Sequence, residues 1–295
     1  MSRIDEALRR AGRAGVDDDA TAASDPPRVP AHEFRTQPDR YAVVVETPPA
    51  VRVDESTTLA DEPELGLRDP AEFVVNGKLV ISQEIDPGAV EEYRKLAAAL
   101  HQVYVARATK VVMVASAGAG EGKTLTAANL ALTLSKSFQR RVLLIDTDLR
   151  RPMIHDVFGI SNTAGLNEGL MADGDAKLPL ITVSPKLSVL PAGSPNPDPM
   201  GGLTSDRMRR IIEDAATKFE WVVLDTPPVG LLPDAHLLAE MVDMVVLVVS
   251  AGKTPLRAVR RAVDALSRKR VVGVVLNRVA ASGSTYGYDR YAQPR

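Results

Sequence analysis

The octapeptide Ala117-Gly118-Ala119-Gly120-Glu121-Gly122-Lys123-Thr124 lies between the apolar run Val111-Val112-Met113-Val114 and a helix-forming segment that begins at Leu125. Strand, glycine loop, Lys-Thr and helix, in that order, constrain the chain to a phosphate-binding turn. The glycines let backbone N–H groups converge on anionic oxygens, Lys123 can reach the β and γ phosphates, and the Thr124 hydroxyl can ligate Mg²⁺. A Gly/Ala-rich loop also serves as a plain tight connection, so the context decides. Here an apolar helix from Leu125 to Leu134 follows, and two acidic motifs end later strands. The expectation is a nucleoside triphosphate site, for ATP, formed by Gly118, Ala119, Gly120, Glu121, Gly122, Lys123, Thr124 and Leu125.

From Val111 onward, apolar β-branched runs alternate with helical segments. The runs are Val111–Ala115, Val142–Ile145, Leu187–Leu190, Trp221–Leu224, Met244–Ser250 and Val271–Leu276. Continuous rather than alternating apolar runs predict strands buried on both faces. Helices are expected near Thr124–Ser137, Ser205–Lys218, Pro233–Met241 and Pro255–Ser267, so the fold class is α/β, a mostly parallel sheet flanked by helices on both faces. A further helix begins at Asp86-Pro87, with Val90, Tyr93, Leu96, Leu100 and Val103 at helical spacing.

The first 72 residues read differently. Met1 to Arg13 forms a short amphipathic helix, with Ser2 and Asp5 as a capping pair and Ile4, Ala7, Leu8 and Ala11 on one face. From 14 to 72 the chain is rich in proline, eight of them between Pro26 and Pro70, and carries the acidic run Asp17-Asp18-Asp19. Such a stretch buries too little apolar surface to offset its ordering entropy and is expected to be a disordered linker. Phe73 to Ile81, with Asn76-Gly77 at its centre, predicts a hairpin at the edge of a folded domain spanning 73–281, followed by a flexible tail at 282–295.

Composition excludes several classes. With no cysteine in 295 residues, this chain supplies no disulfide, thiolate metal site or iron–sulfur ligation. A net charge of −2 carries no global nucleic-acid footprint. The longest apolar run, Met244 to Val249, falls far short of the roughly 20 residues that cross a bilayer, and the N-terminus lacks the apolar core of a signal peptide. A cytoplasmic protein is expected.

Two further motifs carry chemistry. Val142-Leu143-Leu144-Ile145-Asp146-Thr147-Asp148-Leu149-Arg150-Arg151-Pro152 sends two carboxylates out of a buried strand at the carboxyl edge of the sheet, where open α/β folds bind ligands. Asp146 and Asp148 are candidates for Mg²⁺ coordination and for accepting a proton from an attacking group. Arg150 and Arg151 could pair with these acids or reach a neighbouring subunit. In Trp221-Val222-Val223-Leu224-Asp225-Thr226-Pro227-Pro228, Asp225 ends a strand in the position of the acid that orients Mg²⁺ beside a phosphate loop.

The three motifs together resemble those of the bacterial tyrosine kinases (BY-kinases), whose phosphate loop, Asp-x-Asp-x-Arg and Asp-x-Pro-Pro motifs occur in this order on a P-loop fold shared with the MinD and ParA ATPases. The resemblance spans roughly 90–279. The opening Met1-Ser2-Arg3-Ile4-Asp5-Glu6-Ala7-Leu8-Arg9-Arg10 is similar to that of free-standing tyrosine autokinases encoded with exosortase-linked exopolysaccharide systems. The resemblance implies that Lys123 stabilises transferred phosphate charge and that Thr124, Asp146 and Asp225 hold Mg²⁺. Asp146 and Asp148 would assist tyrosine activation, and Asn277 would read adenine. It also implies a membrane-bound activator of the chain-length-determinant type, recruitment to the inner face of the membrane and a homo-oligomer.

The tail supplies a substrate for such a kinase. Three of the six tyrosines in the chain, Tyr286, Tyr288 and Tyr291, fall in its last ten residues, and the resemblance implies their autophosphorylation between subunits. Two departures matter. Ala119 stands where many family members have proline. In the Glu-x-x-Arg-x-x-Arg oligomer motif of the family, Glu91 and Arg94 fit, but Ala97 replaces the second arginine. The alternative is a MinD/ParA-type positioning ATPase; that subclass carries a second lysine early in the loop, where this chain has Gly118. A non-catalytic ATP-binding regulator would have no need of Lys123, Asp146, Asp148 and Asp225.

Overall fold

The computed structural model describes residues 78–82, 85–172, 178–230 and 234–279. The expected N-terminal helix at 1–13, the linker at 14–72 and the tail with Tyr286, Tyr288 and Tyr291 lie outside them. In chain order the elements are α1 (Pro87–Arg107), β1 (Val111–Ser116), α2 (Lys123–Lys136), β2 (Val142–Asp146), α3 (Ile154–Phe158), α4 (Leu166–Met171), β3 (Ile181–Ser184), β4 (Leu187–Leu190), α5 (Met200–Leu203), α6 (Asp206–Lys218), β5 (Trp221–Asp225), α7 (Asp234–Ala239), β6 (Met244–Ser250), α8 (Leu256–Ala265) and β7 (Val271–Asn277).

The seven strands form one sheet in the order β3-β4-β2-β5-β1-β6-β7. Every pairing is parallel except β3 with β4. The six strands expected from apolar runs all form. Their runs are continuous because successive side chains enter different cores: Val112 and Val114 pack with α1 and α2, while Met113 and Ala115 pack with α6, α7 and α8. Each fully buried valine or leucine contributes about 1.5–3 kcal/mol to this layering.

Helix α2 is buried over every residue from Thr126 to Ser135, since α1 covers the side turned away from the sheet. The start of α1 is where Asp86-Pro87 placed it: the Asp86 carboxylate accepts from Gly88 N–H at 3.2 Å, and proline fills the first helical position. Helix α6 begins at a serine cap, with Ser205 Oγ accepting from Met208 N–H at 3.2 Å.

Two expectations need correction. The described arm of the Phe73–Ile81 hairpin is not a strand; Lys78 to Ser82 is a turn. Its backbone is satisfied by a side chain instead of a partner strand: Asn129 of α2 accepts from Val80 N–H at 2.8 Å and donates to the Lys78 carbonyl at 3.1 Å. Leu79, 1% exposed, is thereby seated in the core. In addition, β3, α3, α4 and α5 were not expected. Each has four to six residues, too few to display a hydrophobic period, and β3 is a half-buried edge. Among the described residues, no helix is long and apolar enough to cross a membrane.

Candidate functional site

The sheet order places β1 between β5 and β6, so the phosphate loop leaves the centre of the sheet with acidic strand ends on one side. The loop needs glycine at two points. Gly120 has φ +72° and Gly122 φ +94°, and a Cβ at Gly122 would lie 2.1 Å from Asn277 Nδ2. Gly118 N–H is taken by the Glu121 carboxylate at 3.0 Å. Those of Ala119, Gly120, Glu121 and Gly122 meet no acceptor among the described residues. They stand at the N-terminus of α2, where Lys123, Thr124 and Leu125 form the first turn, and this is the arrangement that receives an anion.

Lys123 connects the loop to the acids. Its Nζ lies 3.1 Å from Asp148 Oδ2 and 3.6 Å from Asp225 Oδ1, and 3.3 Å from Thr124 Oγ1. Burial works against its charge, but Asp225, Asp148 and Asp146 outweigh burial and hold the ammonium above the ordinary lysine value.

Asp146 and Asp225 are register partners on β2 and β5, and both are fully buried. Burial raises the Asp146 carboxyl to about 8, and the neighbouring Asp225 charge adds to the effect; the N–H groups of Ile154 and Met153 and the Lys123 charge oppose it. Asp225 is also raised by burial, against the pull of Lys123 and the Thr124 hydroxyl.

The two acids differ in their partners. Asp146 Oδ2 accepts from Met153 and Ile154 N–H at 3.0 Å each, holding the start of α3, and Oδ1 accepts from Asp148 N–H at 3.1 Å. Neither carboxyl oxygen of Asp225 has a hydrogen-bond partner. A buried carboxylate that makes no hydrogen bond and faces Lys123 across 3.6 Å, beside a loop threonine, fits a hard cation that takes its remaining oxygens from phosphate and water. No group of three or more His, Asp or Glu side chains forms a complete metal cage among the described residues.

The surrounding loops are tied to one another. Thr147 donates both its N–H and its hydroxyl to the Asp225 carbonyl, and the Thr226 hydroxyl donates to the Val114 carbonyl at 3.1 Å. Val229 and Gly230 N–H donate to the carbonyls of Ser116 and Ala117. Arg150 does not pair with Asp146 or Asp148, as its sequence proximity had allowed. Its Nε donates to Asp234 Oδ2 at 2.7 Å, at the start of α7, and a second nitrogen donates to the Pro197 carbonyl. Asp234 was not anticipated, because 84 residues separate the pair. Asn277 ends β7 against the loop: Nδ2 donates to the Glu121 carbonyl at 2.8 Å and Oδ1 accepts from Arg278 N–H at 2.8 Å. Beyond it, a cleft of about 230 Å³ opens between the loop and Lys253, Thr254, Pro255 and Arg278.

In the oligomer motif, Glu91 and Arg94 form an exposed pair at 3.4 Å, whereas Ala97 is fully buried, so its side chain faces the core and not a neighbour.

Comparison with known proteins places these features in a family. The CobQ/CobB/MinD/ParA nucleotide binding domain matches residues 112–293. The chain is 36% identical over 202 residues to tyrosine-protein kinase YwqD of Bacillus subtilis, covering 67% of this chain and 85% of that protein. It is 34% identical over 196 residues to the succinoglycan biosynthesis transport protein ExoP of Rhizobium meliloti, covering 64% of this chain and 25% of ExoP. The kinase domain of Escherichia coli tyrosine kinase ETK superposes with a TM-score of 0.60 at 29% identity, covering 68% of this chain and 80% of that domain.

Proposed function

Because the chain belongs to the bacterial tyrosine kinase family, we propose that it is a Mg·ATP-dependent protein-tyrosine autokinase that phosphorylates Tyr286, Tyr288 and Tyr291 of a second copy and thereby regulates exopolysaccharide synthesis or export. The observation that carries the reading is the buried Lys123–Asp148–Asp225 cluster at the mouth of the phosphate loop.

The residues divide the work as follows. The free N–H groups of 119–122 and the start of α2 bind the phosphates. Lys123 swings from Asp148 and Asp225 to the transferring phosphoryl group, whose negative charge it neutralises. Thr124 and Asp225 would hold Mg²⁺, which would supply neutralising charge for the phosphates. Asp146, whose carboxylate accepts three backbone N–H groups and keeps one acceptor site open, would assist in holding the cation, directly or through water, and keeps α3 in place. Once Lys123 has left, Asp148 takes the proton from the tyrosine hydroxyl; the phenolic oxygen then forms the new P–O bond as the bond to the leaving diphosphate breaks. Asn277, at the far side of the loop, contacts the adenine.

A phosphorylated tail gains negative charge, which weakens subunit association and allows cycling. A membrane-bound activator of the chain-length-determinant type recruits the enzyme to the inner face of the cell membrane. The match covers 25% of the transport protein ExoP, so that relative has further sequence outside the matched region. The positioning-ATPase alternative is not favoured, since the relatives are named tyrosine-protein kinases and Gly118 stands in place of its second lysine.

The test is intact-mass and tandem mass spectrometry after incubation with Mg·ATP. Phosphate on the tail tyrosines that disappears in Lys123→Met and in the Tyr286/Tyr288/Tyr291→Phe variant is the expected result. ATP hydrolysis with no phosphotyrosine, even with the activator added, overturns it.

A further inference from the structure

The Glu121 side chain has no part in the phosphate chemistry above, yet it is only 6% exposed and both of its oxygens are occupied. Oε2 accepts from Gly118 N–H at 3.0 Å, and Oε1 accepts from the Thr254 hydroxyl. Thr254 Oγ1 accepts in turn from Ser250 N–H at 3.1 Å. The next residue, Ala251, donates its N–H to the Asn277 carbonyl at 2.8 Å, and Asn277 Nδ2 donates back to the Glu121 carbonyl at 2.8 Å. Glu121 is therefore gripped by both its side chain and its backbone. The result is a closed hydrogen-bonded circuit through the phosphate loop, the end of β6, the turn before α8 and the end of β7.

That circuit frames the 230 Å³ cleft, whose walls are the loop on one side and the β6–α8 turn with Arg278 on the other. The acids and Lys123 mark the end of the site where the terminal phosphate reacts, so the nucleoside part of the ligand extends toward this cleft. A carboxylate within a loop that receives an anion is electrostatically unfavourable in itself. The two contacts it accepts offset that cost by turning its oxygens onto Gly118 and Thr254.

We propose that Glu121 is a positioning residue for the nucleotide: through Thr254 and Asn277 it sets the separation between the phosphate loop and the wall that flanks the nucleoside. The proposal rests on the nucleotide-binding reading of the site and is independent of tyrosine as the acceptor.

The experiment is titration of the full-length chain with a fluorescent ADP analogue, read by anisotropy, for the parent, Glu121→Ala, Thr254→Val, the double variant and Glu121→Gln. Glu121→Ala and Thr254→Val each weaken binding roughly tenfold, the scale of one hydrogen bond to a charged group. The double variant is no weaker than Glu121→Ala alone, because both changes break one circuit. Glu121→Gln stays within about threefold of the parent, since its amide oxygen still accepts from Gly118 and its NH₂ donates to Thr254 Oγ1. In turnover assays KM rises more than kcat falls. Binding within twofold of the parent for Glu121→Ala, or full additivity of the two single changes, overturns the proposal. So does a drop in melting temperature of the nucleotide-free variants with no change in affinity, which is the signature of a purely structural role. If the parent itself does not bind the analogue, the nucleotide site as a whole is overturned; binding that ignores Glu121 overturns this proposal alone.

Discussion

The Lys123 ammonium lies 3.1 Å from the Asp148 carboxylate and 3.6 Å from Asp225, facing the acids at the sheet edge. A lysine so placed has one charge to share between buried carboxylates and an incoming phosphoryl group, and the same movement that serves the phosphate uncovers Asp148.

Replacing Lys123 with Met removes the cation while keeping an unbranched side chain. Tail phosphorylation is expected to fall by about 10²-fold or more, on the scale of losing one preorganised charge at the reacting group, as read by tandem mass spectrometry. A loss below tenfold contradicts the assigned role.

Asp225→Asn is expected to separate stability from activity. An acid whose folded pKa exceeds its unfolded value binds more protons when folded, so it lowers stability as pH rises between the two values. With Asp146 raised to about 8 and Asp225 raised beside it, the nucleotide-free protein loses stability from about pH 4 toward pH 8. The asparagine removes one buried charge whose oxygens make no hydrogen bond, and Lys123 keeps its shorter pair with Asp148 when the 3.6 Å pair with Asp225 is lost. Its melting temperature at pH 8 should exceed that of the parent by about 3 °C or more, with a flatter pH profile, while Mg·ATP-dependent phosphorylation disappears. A steeper profile in the variant would contradict this.

Arg150 and Asp234 test the other half of the Asp-x-Asp-x-Arg motif. Asp234 is 1% exposed and its charge is met by Arg150. Arg150→Ala leaves that carboxylate buried and unpaired, at a cost of about 3 kcal/mol in urea unfolding. Arg150→Ala with Asp234→Ala should recover part of the loss; if the double change is as harmful as the sum of both singles, the pair is not the source.

Gly122→Ala places a methyl group where Asn277 Nδ2 already stands, at φ +94°. Loss of measurable nucleotide binding is expected, with stability reduced by about 1–3 kcal/mol for the strained backbone. Retained binding would mean that the loop and Asn277 are less tightly coupled than their contact indicates.

Asn129→Leu keeps a side chain of similar size on α2 but releases the Lys78–Val80 turn. Amide exchange at Val80 should speed up markedly, while exchange in the centre of β1 changes little. Equal protection at Val80 in parent and variant would show that Leu79 burial alone holds the turn.

Much of this molecule is local in origin and could be read along the chain. The phosphate loop, the strand-ending Asp146 and Asp225, the continuous apolar runs and the Asp86-Pro87 helix start are each specified by neighbouring residues, through backbone freedom, burial on two faces or end-capping. The short elements β3, α3, α4 and α5 were illegible because four to six residues cannot show a period and tertiary contacts hold them. Glu168, for example, secures α4 by accepting from Gly165 and Ser194 N–H.

What the sequence by itself determined was the chemistry on offer: a loop that binds anions, a lysine and threonine beside it, and carboxylates at the ends of buried strands. Only the tertiary structure decided how those groups meet. Setting β1 between β5 and β6 brings Lys123 to Asp148 and Asp225, and Asn277 to Glu121 across 156 residues. It also sends Arg150 to Asp234 and away from its near neighbours. Strand order governs these encounters because contacts between distant residues depend on which buried faces pack together, and spacing along the chain carries no record of that choice.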